Sequence, residues 1–248
     1  MKNLVLSILM TMIFASLSFA QTVDEILEQH FAASGQEKLL ATNTFMSKGK
    51  IMQMQFEIPF TSYHKRPMKF RSEAEFQGMK ISSAYDGNIG WYANPMMGSS
   101  DPQPMTEEQI DQLKTQADYD GIFYNYKEKG YTVELIEKKT VDDIETYVLK
   151  LTRPNGDIIT YYIDAENYVL LKSESKIKMQ GVETESETIF SNYKFVNEIL
   201  IAHSMETKVN GETMMQMVFE EITYDVEIPD SMFEMPAAEE QPDSTDSE

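Results

Sequence analysis

Residues 68–76 read Met68-Lys69-Phe70-Arg71-Ser72-Glu73-Ala74-Glu75-Phe76, and this stretch decides the fold class. Met68, Phe70, Ala74 and Phe76 occupy one phase of a two-residue period; Lys69, Arg71, Glu73 and Glu75 occupy the other. Successive side chains of a strand point to opposite faces, so this is an antiparallel strand with one apolar and one wet side. Just upstream, Ile51–Phe60 has the same period. Met52, Met54, Phe56, Ile58 and Phe60 share the apolar phase, which predicts a single strand with those side chains turned inward. Further strands are predicted at Met79–Tyr85, Ile89–Ala93, Tyr131–Glu137, Glu145–Leu151, Ile158–Ile163, Val169–Met179, Glu183–Phe190, Ile199–Val209 and Thr213–Thr223. Asp86-Gly87, Asn155-Gly156 and Asn210-Gly211 sit between strands as hairpin turns. A meander of about eleven antiparallel strands has to curl to cover its apolar face.

Outward from the strands the period changes to that of a helix. Thr22 with Glu25 three residues on forms a capping box, and Val23, Ile26, Leu27 and Phe31 fall on one face. A second helix is predicted from Thr106 to Ala117, capped by Thr106 and Gln109, with Ile110, Leu113 and Ala117 as its stripe. Pro102 and Pro104 set it apart from the strands, as a lid over the sheet.

The ends of the chain read differently. Lys2, the apolar run Leu4–Phe14 and Ser18-Phe19-Ala20 form the three-part pattern of a cleavable export signal over residues 1–20. The apolar run is too short to cross about 30 Å of hydrocarbon. Residues 236–248 carry five acids and no basic residue, an expected disordered tail. Residues 21–235 are then one domain, freely diffusing and periplasmic in a two-membrane bacterium. The chain has no cysteine, so it makes no disulfide and carries no lipid-modified Cys anchor. With 21 basic and 41 acidic residues the net charge is −20, which repels nucleic acid and anionic headgroups and steers a basic, membrane-side protein partner inward. No later apolar run approaches the length of a membrane-spanning helix, and the mean hydropathy is −0.40.

No catalytic signature stands out. His30, His64 and His203 are far apart, and no metal-ligand spacing, nucleophile elbow or phosphate-binding glycine loop is present. The expectation is a binding protein, not an enzyme, with no metal and no cofactor. The 18 methionines are the unusual feature. Met52, Met54, Met68, Met79, Met179, Met205, Met215 and Met217 lie on strand phases that read as apolar, which fits either a deformable binding cavity or ordinary core packing. Met96-Met97 is an apolar pair in a loop just before the lid helix, where something has to cover it.

Lys65-Arg66-Pro67-x-x-Phe70, followed by Asp86-Gly87-x-x-x-Trp91-Tyr92-x-Asn94-Pro95, resembles the periplasmic lipoprotein-carrier family (LolA/LolB-like). Tyr161-Tyr162-Ile163-Asp164, Tyr168–Lys172 and Ile228-Pro229-Asp230-Ser231-Met232-Phe233 are similar to its second half. The resemblance implies an incomplete β-barrel whose open mouth is lidded by helices and whose interior takes acyl chains of a lipid or lipoprotein. Carried over residue by residue, it implies that Arg66 latches the lid through carbonyls of a helix or loop. A solvated arginine beside one of the 41 acids is the other reading. Phe70 would border the cavity entrance and Trp91 would lie inside the barrel. With the strand phases, the expected cavity set is Met52, Met54, Phe56, Phe70, Met79, Trp91, Met96 and Met97. The function implied is a periplasmic carrier moving lipoproteins or lipids toward the outer membrane, with a lipid-sensing or protein-interaction module on the same fold as the alternative.

Overall fold

The computed structural model describes residues 21–179 and 182–236; the export signal expected over residues 1–20 and all but the first residue of the expected tail lie outside these. The chain opens with α1 (Val23–Ser34) and α2 (Gln36–Leu40). Six strands follow: β1 (Thr44–Gln53), β2 (Phe56–Lys65), β3 (Lys69–Phe76), β4 (Met79–Tyr85), β5 (Gly90–Asn94) and β6 (Ser99–Pro104). Then come α3 (Glu107–Ala117) and seven more: β7 (Thr132–Val141), β8 (Ile144–Thr152), β9 (Ile158–Asp164), β10 (Leu170–Met179), β11 (Val182–Val196), β12 (Ile199–Val209) and β13 (Glu212–Tyr224).

All thirteen strands form one antiparallel sheet in the order β6-β5-β4-β3-β2-β1-β13-β12-β11-β10-β9-β8-β7. Two local meanders are thus joined where β1 pairs with β13, and the sheet stays open, with β6 and β7 as its edges. This is the expected incomplete barrel with thirteen strands in place of eleven. One extra strand comes from Ile51–Phe60, which is not one strand. A two-residue turn at Met54-Gln55 ends β1 and starts β2, with Gln53 paired to Phe56. Met54 adopts φ +54°, and no glycine or asparagine at the turn announced the hairpin. The other is β6, whose two prolines argue against a strand except at a sheet edge, where a missing N–H costs no ladder bond.

Both expected helices form with their capping boxes, Thr22–Glu25 and Thr106–Gln109. Residues opposite each other in a strand pair share a face. That rule, followed across the register, places α1 and α3 on the same side of the sheet, here called the inner face. α1 seats Ile26 and Leu27 on Val133, Tyr147, Leu149, Leu151, Tyr161 and Ile163, with Phe123 closing the cluster. α3 seats Leu113 and Ala117 on Phe70 and Tyr85.

Candidate functional site

The inner face of β1–β4 is layered by register. Nearest the helices lies a row of rings, Phe45, His64, Phe70 and Tyr85. Two residues along each strand lies a row of hydroxyls, Ser47, Ser62, Ser72 and Ser83. The first pair is buried and hydrogen-bonded, Oγ to Oγ at 2.7 Å. The next row is Gly49, Phe60, Ala74 and Ile81, and beyond it stand Ile51 opposite Ile58 and Phe76 opposite Met79. Gly49 is required here. A Cβ on it would stand 2.0 Å from the Val218 carbonyl oxygen and 3.0 Å from the Phe60 ring. Phe60 and Phe219, its partners on either side, meet edge to face at 5.6 Å.

The apolar surface continues across β1 into the second half, where Met217 lies opposite Ile51 and Met205, and Met205 opposite Phe190. Ile51, Ile58, Ala74, Phe76, Met79, Ile81, Met205, Met217 and Phe219 are all half-buried, and Phe56, which meets Phe76 at 5.0 Å, is 47% exposed. This contiguous apolar strip lies on the helix-bearing face, beyond the reach of the two helix clusters, and is the candidate site.

The expected cavity residues divide. Phe56 and Met79 belong to the strip. Phe70 is on the same face but buried under α3. Met52 is not on it: the two-residue turn reverses the phase, and Met52 pairs with Glu57 on the outer face. Met54 stands on the turn itself, 90% exposed. Met96 and Met97 form a short helical turn after β5 and are 54% and 74% exposed. Trp91 is also on the outer face, since it lies opposite Ala84, which lies opposite Arg71, the neighbour of Phe70. It is buried there by the closing segment: its Nε1 donates to the Phe233 carbonyl at 3.0 Å, and the Arg71 guanidinium covers its ring at 5.3 Å. Arg71 also donates to the Met232 carbonyl at 2.6 Å, Lys65 to the Ile228 carbonyl at 2.7 Å, and Lys65 and Lys69 both pair with Asp230. The D-G-x-x-x-W stretch and the I-P-D-S-M-F stretch thus meet as one outer clasp.

Arg66 does reach helix-end carbonyls. Its Nε donates to the Thr42 carbonyl at 2.7 Å and its Nη2 to the Leu39 carbonyl at 3.1 Å, both at the end of α2. Its Nη1 pairs with Asp120 at 2.6 Å, and the guanidinium lies 4.4 Å over the Tyr119 ring. Tyr119 meets the Thr42 hydroxyl at 2.7 Å and the Phe45 ring at 5.2 Å, and Gln36 donates to the Asp120 carbonyl at 2.9 Å. Burial raises the Tyr119 pKa above that of a free phenol, so it stays a neutral hydrogen-bonding group. His64, stacked on Phe45 at 4.0 Å, is pushed down to about 3 by burial and is a neutral ring at physiological pH.

Asp143 and Asp164 border a hollow of about 410 Å³, in which Asp164 accepts from the backbone N–H groups of Glu166 and Asn167. Sequence reasoning missed Ile51, Ile81 and Phe219. Each is apolar and strand-borne, but only the pairing across β1 and β13 shows that they are neighbours.

A family model described as "-like: Uncharacterized protein" matches residues 65–238, from the K-R-P stretch past the closing clasp. The chain belongs to this uncharacterized-protein family. No curated protein matches the sequence. Solved structures add the fold to the family assignment. A LolA superfamily protein from Nitrosomonas europaea is 14% identical over 87% of this chain and 98% of its own, with a TM-score of 0.60. A DUF1329 family protein from Desulfovibrio piger is 15% identical over 84% of this chain and 97% of its own, TM-score 0.59. A domain from Vibrio parahaemolyticus named for outer membrane lipoprotein sorting is 13% identical over 84% and 94%, TM-score 0.57. This member of the uncharacterized-protein family therefore has the LolA-superfamily fold.

Proposed function

We propose that the protein binds acyl chains of lipids or lipoproteins on the open strip of its inner face and carries them through the periplasm toward the outer membrane. The observation that carries this reading is the strip itself, ten half-covered apolar side chains from Ile51 to Phe219 on the face that bears the helices. Burying an acyl chain contributes about 0.8 kcal/mol per CH₂, so a strip of Phe, Ile and Met needs no charged group to hold one. Flexible methionines such as Met79, Met205 and Met217 adapt to chains of varied length and unsaturation. Arg66 serves as the latch, holding the end of α2 and the segment after α3 against the floor. The LolA-superfamily fold and the export signal expected over residues 1–20 agree with a periplasmic ferry. Among the described residues, no group of three or more His, Asp or Glu side chains is placed to hold a metal.

The test is a titration with a fluorescent fatty acid, wild type against Ile58→Asp. A carboxylate in the strip would be buried without a partner by a bound chain. The variant should fold normally and bind at least tenfold more weakly. Equal binding by the folded variant would place any acyl site elsewhere.

A further inference from the structure

The hydroxyl row of the inner face is satisfied at one end and open at the other. Ser47 and Ser62 bond to each other. Ser72 and Ser83, opposite each other on β3 and β4, are half-buried and make no side-chain hydrogen bond among the described residues. His64 is in the same position. Its Nδ1 is buried without a partner, and on β2 it lies two residues from Ser62 and diagonally across from Ser72. Buried polar groups are normally hydrogen-bonded, because an unpaired one has lost its water for nothing. Three neighbouring groups on one face therefore have unused capacity. A serine hydroxyl donates and accepts, and a neutral imidazole has one nitrogen of each kind.

These groups stand at the edge of the apolar strip. Ser72 is two residues from Ala74 and Ser83 two residues from Ile81, about 7 Å along the strand in each case. The same face lacks charge. On β1–β4 every Lys, Arg and Glu falls on the outer phase, so the rows described above carry none. His64 is itself neutral, since burial pushes its pKa down to about 3. Arg66, two residues on, is committed to Asp120. The cover α3 adds the acids Glu107, Glu108 and Asp111, and its one base, Lys114, pairs with Asp111. An anionic head group placed here would be buried without a counter-charge, beside an acidic helix, in a chain of net charge −20.

We propose that Ser72, Ser83 and His64 form a head-group site that selects an uncharged, hydrogen-bonding head, a glycerol hydroxyl, an ester or an amide, over a phosphate or carboxylate. This rests on the acyl-binding reading above and names the class of cargo: neutral glycerolipids and the acylated ends of lipoproteins, with phospholipids disfavoured. A hydroxyl or carbonyl at the end of a chain on the strip supplies the partners that the three groups lack, whereas a bare hydrocarbon end leaves them unpaired. A free fatty acid still binds by its chain, with its carboxylate kept in water.

The test is displacement of a fluorescent fatty acid by two competitors with the same acyl chain, monooleoylglycerol and oleoyl lysophosphatidic acid, each kept monomeric. Wild type should prefer monooleoylglycerol at least tenfold. Ser72→Ala/Ser83→Ala and His64→Phe, each with a circular dichroism spectrum matching wild type, should cut that preference at least threefold. Equal displacement by the two competitors in wild type overturns the inference and means that these groups hold only water. A preference for lysophosphatidic acid overturns it in favour of an anionic head. A preference that survives both substitutions puts the recognition elsewhere and overturns it too. If neither the competitors nor the fluorescent fatty acid binds wild type, the acyl-binding reading falls and this inference falls with it.

Discussion

The floor under α1 and the open strip belong to the same face of the same sheet, yet they are built for opposite ends. Under α1, Leu149, Leu151 and Ile163 are wholly buried and are covered by Ile26, Leu27 and Phe123. On the strip, Ile51, Ile58 and Phe76 keep part of their surface in water. The strands of both regions turn every second residue to this face, and most of those residues are apolar. What differs is the cover, and the cover is set by which helix the sequence supplies: α1 brings a broad apolar face and polar ties, α3 a narrow stripe alone. Apolar periodicity thus marks a face, and only the partner elements say whether that face is core or binding surface.

The sharpest way to break the comparison is to truncate each floor in turn. Leu149→Ala removes buried atoms from a closed cluster and should cost about 2–5 kcal/mol in urea unfolding, with acyl binding by the folded fraction unchanged. Ile58→Ala should cost well under that in stability and appear instead as weaker binding. If both variants lose stability equally, the strip is core.

The outer clasp provides a second contrast of nearly the same size. Trp91→Ala should cost about 3–5 kcal/mol, because it empties a buried site and leaves the Phe233 carbonyl unpaired. Acyl affinity per folded molecule should not change. A loss of affinity without a loss of stability would mean that Trp91 contacts the ligand after all.

A smaller effect is expected at the latch. Arg66→Leu removes charged hydrogen bonds worth about 1.5–3 kcal/mol. Hydrogen exchange should accelerate at residues 36–42 and 118–121, while α3 and the Leu149 cluster keep their rates. Faster exchange confined to α3 would show that Arg66 governs the wrong cover for the role given to it here.

The last difference is one of pH. His64 is held neutral by burial, with its pKa depressed from 6.5 to about 3. The unfolded chain takes up that proton first as pH falls. The stability linked to His64 is therefore full above about pH 6.5 and is lost progressively between 6.5 and 3. His64→Phe should flatten that part of the wild-type decline between pH 6.5 and 4, read by thermal unfolding. Parallel curves would mean that His64 titrates normally.

Much of this fold was legible in the residues. Thr22 with Glu25 and Thr106 with Gln109 cap the two main helices where their spacing put them. Asn210-Gly211, both with positive φ, makes the β12–β13 hairpin. What was illegible has a common cause. Met52, Met54 and Phe56 alternate as one strand would, and no local signal distinguishes that from a tight turn that flips the phase. Trp91 and Phe70 belong to strands whose phases have no common origin until the register from β3 to β5 ties them, and it ties them to opposite faces. The strip was half visible as methionines. Its remainder depends on β1 meeting β13, two strands from opposite ends of the chain, and no window of sequence contains both.

α1 is the first element of the described chain, but it is seated on strands that end at Asp164. During synthesis at about 5–20 residues per second, the 130 residues between Ser34 and Asp164 take about 6–26 s to emerge. For that interval the leading helix has no seat, and the first meander lacks β13, the strand that links it to the second. A chain wired this way remains threadable until its second half has been delivered, and only then locks. Crossing a membrane in extended form requires the same order of events.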